Sequence, residues 1–568
     1  MMNEPIESIK TGFWLRFLAT WMDCLFIYAV LKIFFYSLLY MHPFYFPFNF
    51  TFILVGIVYS TILISFKGQT IGKYLLGIKV LNYDGTKLSL LKSILRESIL
   101  KIISGVVFFL GFFWIGFSKN KKGWHDYLCK SRVLQFTKPA GFNKFSRTFA
   151  FSTFIVFTAI YMWSIAGVVI DAKKISLNPE SVKFPFIERN LADVADVSEI
   201  KDSSLINWLN KYGEQPADYL IKAAANHQIT LLGEIHENRD NLDFLNQMIG
   251  PLYYKSNIRV IAMEVIPALM NKKAEQLVNG KTYDSVLAME IARGQCWKIW
   301  GWKEYWDILK TVWKLNHSLP EGAEKMRVVG LDGDWEMADI FLSGVANDSR
   351  GKSPFWEKLR ILSSLKNMVN AGLRDNIMAR NIEKEIIDKN QKAVVLIGFN
   401  HTLINYTNAI VKDKKIVALN PRFAVLLSQK YKDKFFQIEL YQNLDLNEDN
   451  KVCGSSIDDL FDSVMKKRNL KPVAFTIASS PFEKIRDSCA MYFSRFPSVR
   501  YGDIAQALIF LKPYSEKEHC TWMQGYISDQ MFMENKPMYV LMINQRLKFK
   551  NAKELNQVFI DAYNKGIK

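Results

Sequence analysis

Two short segments place a histidine three residues after a glycine, at the end of an apolar run: Leu231–Asn238, LLGEIHEN, and Ile397–His401, IGFNH. The chain has only 7 histidines, so His236 and His401 are singled out by position as well as by type. An imidazole with an ordinary pKa near ~6.5 can carry a proton as general base or ligate a metal as the neutral ring. Acids occupy comparable positions, Glu234 beside His236, Glu264 in IRVIAMEV and Asp332 in MRVVGLDGD, and Arg374 starts the helix RDNIMARN. Glu234 and Glu264 would orient and charge-stabilise an imidazolium, or complete a divalent-metal site whose ligands are His236, Glu264 and His401. Arg374 would hold a substrate carboxylate or a developing oxyanion. Each glycine is expected to permit a sharp turn just after its strand, so that the imidazole faces a crevice. No serine or cysteine stands in a nucleophile motif, and GxSxG, P-loop, GxGxxG and HExxH patterns are missing at these positions, which leaves water as the nucleophile.

Each residue also has a plainer reading: a hydrogen-bonded strand-end histidine, an ordinary acid, or helix-terminal charges at Arg374 and Asp375. The run CWKIWGWKEYWDILKTVW reads first as aromatic packing of a helix on a sheet. Trp302 and Asp332 are nevertheless candidates for substrate contact. The joint occurrence of polar groups at four strand tips decides for a site, because such crevices are the usual ligand sites of α/β sheets.

The elements that position these tips alternate. ITLLGE, IRVIAMEV, MRVVGLDGD and KAVVLIGFNH are short apolar runs, the pattern of strands buried on both faces. Helical spacing separates them, as at Leu242, Leu245, Met248 and Ile249. KKIVALN, KFFQIEL and PVAFTIA read as further strands. The expectation is an α/β domain with a mostly parallel sheet and helices on both faces. RYGDIAQALIFLKP extends it, as last strands or a lid.

The N-terminal third differs. Residues 13–40, 47–66, 98–117 and 148–170 are long enough, or nearly so, to cross a bilayer, and no such run follows Asp171. Residues 1–175 hold 20 Lys/Arg against 7 Asp/Glu, which is +13 of the chain's formal +18. Basic charge beside apolar spans suits anionic lipid and topology control rather than nucleic acid, and no nucleic-acid motif is present. The six cysteines form no CxxC pair; Cys453 and Cys489 could pair outside the cytoplasm. The first apolar run is too long for a cleaved signal peptide. Arg16 and Asp23 lie seven residues apart on one helix face, where the plain reading is an ion pair that orients helices and the functional one is ion or ligand handling.

Arg16, Asp23, the loop GQTIGKYLLGIKV, Arg96 and Asp126 follow in the order of the RDD family of membrane domains, which residues 10–136 resemble. The resemblance implies membrane embedding and gives Arg16, Asp23, Arg96 and Asp126 as its functional set, with transport proposed for some members. Downstream, LLGEIHEN, AMEV, WGWKEYWDIL, VVGLDGD, RDNIMARN and VVLIGFNH resemble the erythromycin esterase and ChaN-like superfamily, distantly related to Tiki-type metalloproteases and TraB-like proteins. The esterase branch implies a histidine base acting on water with acidic and arginine support, carried over to His236, Glu234, Glu264, Arg374 and His401. The Tiki-type branch implies a divalent metal, and the ChaN branch haem iron. GEIHEN is nearer the ChaN form than the GEATHG form of macrolide esterases, so macrolide hydrolysis does not carry over.

The whole is expected to be a multi-domain bacterial inner-membrane protein: an RDD-like α-helical membrane domain (1–136), a basic loop and transmembrane helix (137–171), a connector (172–212) and the α/β domain (213–568, core motifs 213–410). The leading function is a membrane-anchored hydrolase, an esterase or a metal-dependent peptidase-like enzyme, acting on a small-molecule or peptide substrate. The alternatives are a haem- or iron-binding module, and RDD-based transport with a sensor domain. Basic loops at 67–96 and 118–147 favour the cytoplasm. If 98–117 re-enters or forms a hairpin, the helix over Phe149–Ile170 exits and the soluble domain is extracytoplasmic; a single crossing would reverse that.

Overall fold

A computed structural model describes residues 8–38, 46–106, 110–136, 140–178, 182–196, 199–335, 372–405, 408–412, 415–441, 457–486, 498–513, 516–542 and 549–564. The chain divides into two compact units, Met1–Ser164 and Ile165–Lys568, and the division falls inside the helix Ala140–Lys173. The Cys453–Cys489 pairing lies outside the described residues.

In the first unit, α1 (Phe13–Leu38) and α2 (Phe46–Lys67) are apolar around their circumference, as lipid-facing helices are. The windows Phe13–Val30 and Thr148–Lys173 are long and apolar enough to cross a membrane, and Leu54–Lys67 is a shorter apolar helix. The run at 98–117 is bent: helices Leu90–Gly105 and Leu110–Phe117 meet at 92°, a broken span or a re-entrant loop. The GQTIGKYLLGIKV segment is more ordered than a loop. Thr70 caps a helical turn at Ile71–Leu75, and the chain then enters a strand. Three antiparallel strands, β1 (Ser8–Lys10), β2 (Ile78–Asn82) and β3 (Ser131–Phe136), form a sheet in the order β1-β3-β2. Ile78 and Val80 are fully buried with Lys79 between them, the period-2 alternation of a one-faced strand.

In the second unit, seven strands form one sheet: β4 (Ile229–Glu234), β5 (Val260–Pro267), β6 (Arg327–Asp332), β7 (Ala393–Gly398), β8 (Phe435–Leu440), β9 (Val473–Thr476) and β10 (Ala507–Phe510). The order is β9-β10-β8-β4-β7-β5-β6, all parallel except β9, which runs antiparallel to β10. β4, β5 and β7 are buried at every position, which accounts for their unbroken apolar runs. One face packs Leu232, Met263 and Leu396 beneath helices that include α3 (Arg239–Ser256) and α4 (Lys303–Ser318). The other packs Leu231, Ala262 and Val395 beneath α5 (Arg374–Ile382) and α6 (Phe423–Tyr431).

One expectation changes, and one open alternative is decided. KKIVALN does form a strand, at Lys415–Asn420, but it pairs with Asn408–Lys412 in a separate antiparallel ribbon. With two residues between them, local pairing needs far less chain closure than a crossover into the main sheet. RYGDIAQALIFLKP supplies β10, an interior strand of the sheet.

The topology sets the position of the site. From β4 the chain steps outward to β5 and β6, returns to insert β7 between β4 and β5, then crosses to place β8 on the other side of β4. Such a reversal leaves a crevice at the carboxyl ends of the adjoining strands. Glu234 stands opposite Gly398 in that register, so both glycine–histidine tips leave the sheet side by side.

Candidate functional site

His236 follows β4 in a tight connection in which Glu237 takes a positive φ of 70°. Asn238 then caps α3, its side chain accepting the Asp240 N–H at 3.1 Å. His236 Nδ1 lies 2.7 Å from Glu234 Oε1, which also accepts from the Tyr305 hydroxyl at 2.7 Å. The Nδ1 proton therefore faces a carboxylate, and Nε2 is the nitrogen turned toward β7. Glu234 is 1% exposed, and its second oxygen, Oε2, is buried without a hydrogen-bond partner. Burial opposes a charge on His236, but the Glu234 carboxylate and its hydrogen bond outweigh it and lift the imidazole to about 9. The His236 ring meets Trp300 edge-on at 4.7 Å.

The glycines do something other than turn the chain. Neither has a positive φ, and Gly233 lies inside β4. A Cβ on Gly398 would stand 2.7 Å from His236 Nε2 and 3.2 Å from Glu264 Oε2; one on Gly233 would stand 2.1 Å from Glu439 Oε2. Glycine is needed at both positions because side chains from neighbouring strands occupy the space of its missing side chain.

Around the second histidine the charges interlock. Glu264 opens a register irregularity of β5 between Met263 and Pro267, a break of the kind that re-aims side chains. Its Oε2 accepts the Gly398 N–H at 2.6 Å, and its Oε1 accepts from Arg374 Nη2 at 2.6 Å. Arg374 also reaches Asp332, through Nε at 3.1 Å to both oxygens and through Nη2 at 3.0 Å, and its Nη1 lies 3.1 Å from His401 Nε2. A guanidinium only donates, so His401 Nε2 accepts and Nδ1 carries the proton. That proton faces Asp375 Oδ1 at 2.6 Å, which also accepts the Phe423 N–H at 2.8 Å. Trp297 and Trp335 flank the guanidinium at 5.7 and 5.6 Å. Burial pushes Glu264 up, but Arg374 overcomes it and holds the carboxylate far below its usual range. Burial disfavours the Arg374 cation, yet Asp332 and Glu264 raise its pKa above the ordinary value.

The sequence candidates thus separate by role. His236 and Glu234 form one dyad, while Glu264, Arg374, Asp332 and His401 form a second, adjoining network. Asp332, expected to touch substrate, spends its oxygens on Arg374, Gly333 N and Trp335 Nε1 and positions the guanidinium. Trp302, also expected at the substrate, is 1% exposed and packed against Trp522 at 4.8 Å and Phe559 at 6.2 Å. The tryptophans that touch the site are instead Trp300, Trp297 and Trp335. Asp375 and Glu439 are additional members: Asp375 reads in sequence as a helix-terminal charge, and Glu439 is hidden inside KFFQIEL with no partner in sequence. A segment beyond β10 closes one side. Cys520 N donates to Glu237 O at 2.9 Å, and Lys303 N donates to Thr521 O at 2.8 Å, stitching the first tip to the tryptophan loop.

The geometry does not fit the expected metal ligands. Among the described residues no group of three or more His, Cys, Asp or Glu side chains gathers as a metal site. The Arg374 cation already bonds Glu264 and His401 Nε2, where a divalent ion would compete for the same lone pairs. His401 offers no free nitrogen to haem iron either, because both of its ring nitrogens are engaged.

In the membrane unit Arg16 and Asp23 do not pair with each other. Arg16 Nη1 bonds Asp126 Oδ2 at 2.5 Å, and Arg96 Nη2 bonds Asp126 Oδ1 at 2.7 Å, so one buried carboxylate ties α1 to two later segments. Asp23 accepts from Tyr59 Oη at 2.8 Å, Thr70 Oγ1 at 2.6 Å and Gly72 N at 2.7 Å. The GQTIGK segment, together with Tyr59 of α2, therefore satisfies this carboxylate. Glu97, which pairs with Arg96 and Lys101, adds a buried acid that the RDD pattern does not name.

This fold and these charges define a membrane domain joined to a mostly parallel α/β domain with polar groups gathered at its strand ends. Residues 10–130 match the RDD family, and the chain belongs to that family through this N-terminal domain. A curated relative, the uncharacterized protein YxaI of Bacillus subtilis strain 168, is 34% identical over 146 residues, covering 22% of this chain and 95% of YxaI. Among solved structures, a Bacillus cereus protein is 12% identical with a TM-score of 0.38, covering 57% of this chain and all 100% of its own. An erythromycin esterase mutant in its open conformation is 10% identical with a TM-score of 0.33, covering 54% of this chain and 95% of its own. The haem-binding ChaN of Campylobacter jejuni is 17% identical with a TM-score of 0.25, covering 40% of this chain and 86% of its own.

Proposed function

We propose that the chain is a membrane-anchored hydrolase of ester bonds in which His236 moves the proton and Glu234 orients it. The observation that carries this reading is the dyad itself: a partly exposed imidazole, its side chain 36% exposed, whose Nδ1 is held by a buried carboxylate at 2.7 Å. That is the arrangement by which a carboxylate fixes the tautomer of a catalytic base and stabilises the imidazolium.

In this mechanism water attacks the acyl carbon while giving a proton to His236 Nε2. A C–O bond forms, and the carbonyl becomes an oxyanion. Arg374 has five N–H donors, and its bonds to Asp332, Glu264 and His401 leave the second Nη1 hydrogen for that oxyanion. The tetrahedral species collapses with cleavage of the ester C–O bond, and His236 returns its proton to the departing alkoxide. Acid and alcohol are released, and no metal takes part. Asp332, Asp375 and Tyr305 position the groups that act.

The test uses the full chain in detergent or vesicles with p-nitrophenyl esters of increasing acyl length. His236→Gln should lower kcat/KM by at least about 100-fold, within the range general-base catalysis supplies. Unchanged turnover in His236→Gln would overturn the assignment. A reporter fused at the C-terminus locates the α/β domain, which is proposed to be extracytoplasmic at the bacterial inner membrane.

A further inference from the structure

A cavity of about 240 Å³ adjoins the Arg374 network, and all of its lining belongs to the Ile165–Lys568 unit. It is lined by Val168 and Ala172 from the last turns of the helix Ala140–Lys173, by Leu269 just after β5, by Gly333 just after β6, and by Ile377 and Arg380 of α5. Asp332 belongs to both structures: it lines the cavity and holds Arg374.

Three observations bear on its ligand. The helix that supplies Val168 and Ala172 is the apolar window Thr148–Lys173, and Lys173 and Lys174 follow, the charged flank expected where a span leaves the hydrocarbon. The cavity therefore lies within about one helical turn of a bilayer interface. Its walls are divided: Val168, Ala172, Ala268, Leu269 and Ile377 are apolar, whereas Asp332, Asp334, Asn381 and the pair Asp171 and Arg380, 3.3 Å apart, are polar or charged. A large apolar side chain of the lining, Leu269, stays 53% exposed. A fully polar solute gains nothing from the apolar part of such a surface. An amphiphile does, because its chain covers apolar area at roughly 25 cal/mol per Å² while its polar end meets the charged wall. The volume is below the roughly 300–1,000 Å³ of pockets that enclose a drug-sized ligand, so it suits a segment of a chain that continues into lipid.

We infer that this cavity receives part of the acyl chain of an ester-linked membrane amphiphile, and that the enzyme draws its substrate laterally from the bilayer rather than from water. The inference rests on the hydrolase reading for its chemistry and on the cavity alone for its ligand. The reaction is the ester hydrolysis written above, with the acyl group supplied by the amphiphile.

The experiment reconstitutes the full chain in phosphatidylcholine vesicles that contain a diazirine-acyl phosphatidylcholine. Photo-labelled peptides are mapped, and hydrolysis of p-nitrophenyl palmitate in the vesicles is compared with that of soluble p-nitrophenyl acetate. Leu269→Arg changes an exposed position and Ala268→Phe narrows the cavity, so each checks the other against misfolding. Labelling of peptides containing Leu269 and Ile377, reduced at least about fivefold in both variants, is expected. Palmitate hydrolysis should fall at least about tenfold while acetate hydrolysis stays within about twofold. Labelling that misses these peptides, or an equal fall in both esters, overturns the inference. Labelling that obeys the prediction with no hydrolysis of either ester by the wild type upholds the amphiphile site and overturns the hydrolase.

Discussion

Glu439 gives the sharpest test of the electrostatics behind the site. It lies on β8 opposite Gly233, is 1% exposed, and accepts hydrogen bonds from Thr402, next to His401, and from Gln437. Burial raises its pKa to about 8 from an ordinary 4.5, and the two hydrogen bonds pull it back only in part. In the unfolded chain the proton is released as pH passes about 4.5; in the folded chain it is kept until about 8. Between these values the unfolded state binds fewer protons, so stability contributed at this position falls as pH rises, by about 1.4 kcal/mol per pH unit. Over the whole window that is on the order of 5 kcal/mol, after which the loss is complete. Glu439→Gln keeps the shape and cannot ionise, so the variant should gain on the wild type steadily across the window. The assay is urea unfolding of the full chain in detergent, followed by tryptophan fluorescence at a series of pH values, with the difference between the two proteins plotted to cancel other titrating groups. A difference that stays flat with pH would refute the reasoning, because a carboxylate accommodated as an anion gives no such slope.

The remaining predictions address the site directly. Arg374→Met strands Glu264 and Asp332 as uncompensated buried carboxylates and should cost about 3–5 kcal/mol in the same unfolding assay; adding Glu264→Gln should recover part of it, and a loss below about 1 kcal/mol would contradict the network. With His236 lifted to about 9 and required unprotonated, kcat/KM should rise about tenfold per pH unit below that value and level off above it. A profile that declines above about 9 would instead make His236 the acid. Gly398→Ala puts a Cβ 2.7 Å from His236 Nε2 and should lower turnover by displacing the ring, at a stability cost of about 1–3 kcal/mol; unaltered kinetics would show that the two tips are not in contact during turnover.

Much of the fold could be read along the chain. The continuous apolar runs at Ile229–Glu234, Val260–Pro267 and Ala393–Gly398 are strands buried on both faces, and the membrane third announced itself by apolar length and basic flanks. β10 was harder, because ALIF is four residues long and offers no periodicity of its own. The placement of KKIVALN failed for a different reason: strand propensity says nothing about which edge a strand will find. At the site, residue type and position at strand ends singled out Glu234, His236, Glu264 and His401, and position at a helix start singled out Arg374. Trp302 misled because burial at 1% depends on Trp522 and Phe559, more than 200 residues away in sequence.

By itself, the sequence determined which side chains are available at strand ends, since alternation and apolar runs are local properties of covalent order. Only the tertiary structure decided their partners. The strand order sets Glu234 against Gly398, so the two glycines serve close approach rather than chain reversal. The guanidinium of Arg374 takes the lone pairs that a metal would need, and Arg16 turns to Asp126 rather than to Asp23. Each of those choices is made between residues distant along the chain, where Coulomb attraction and excluded volume act through space and leave no local periodicity to read.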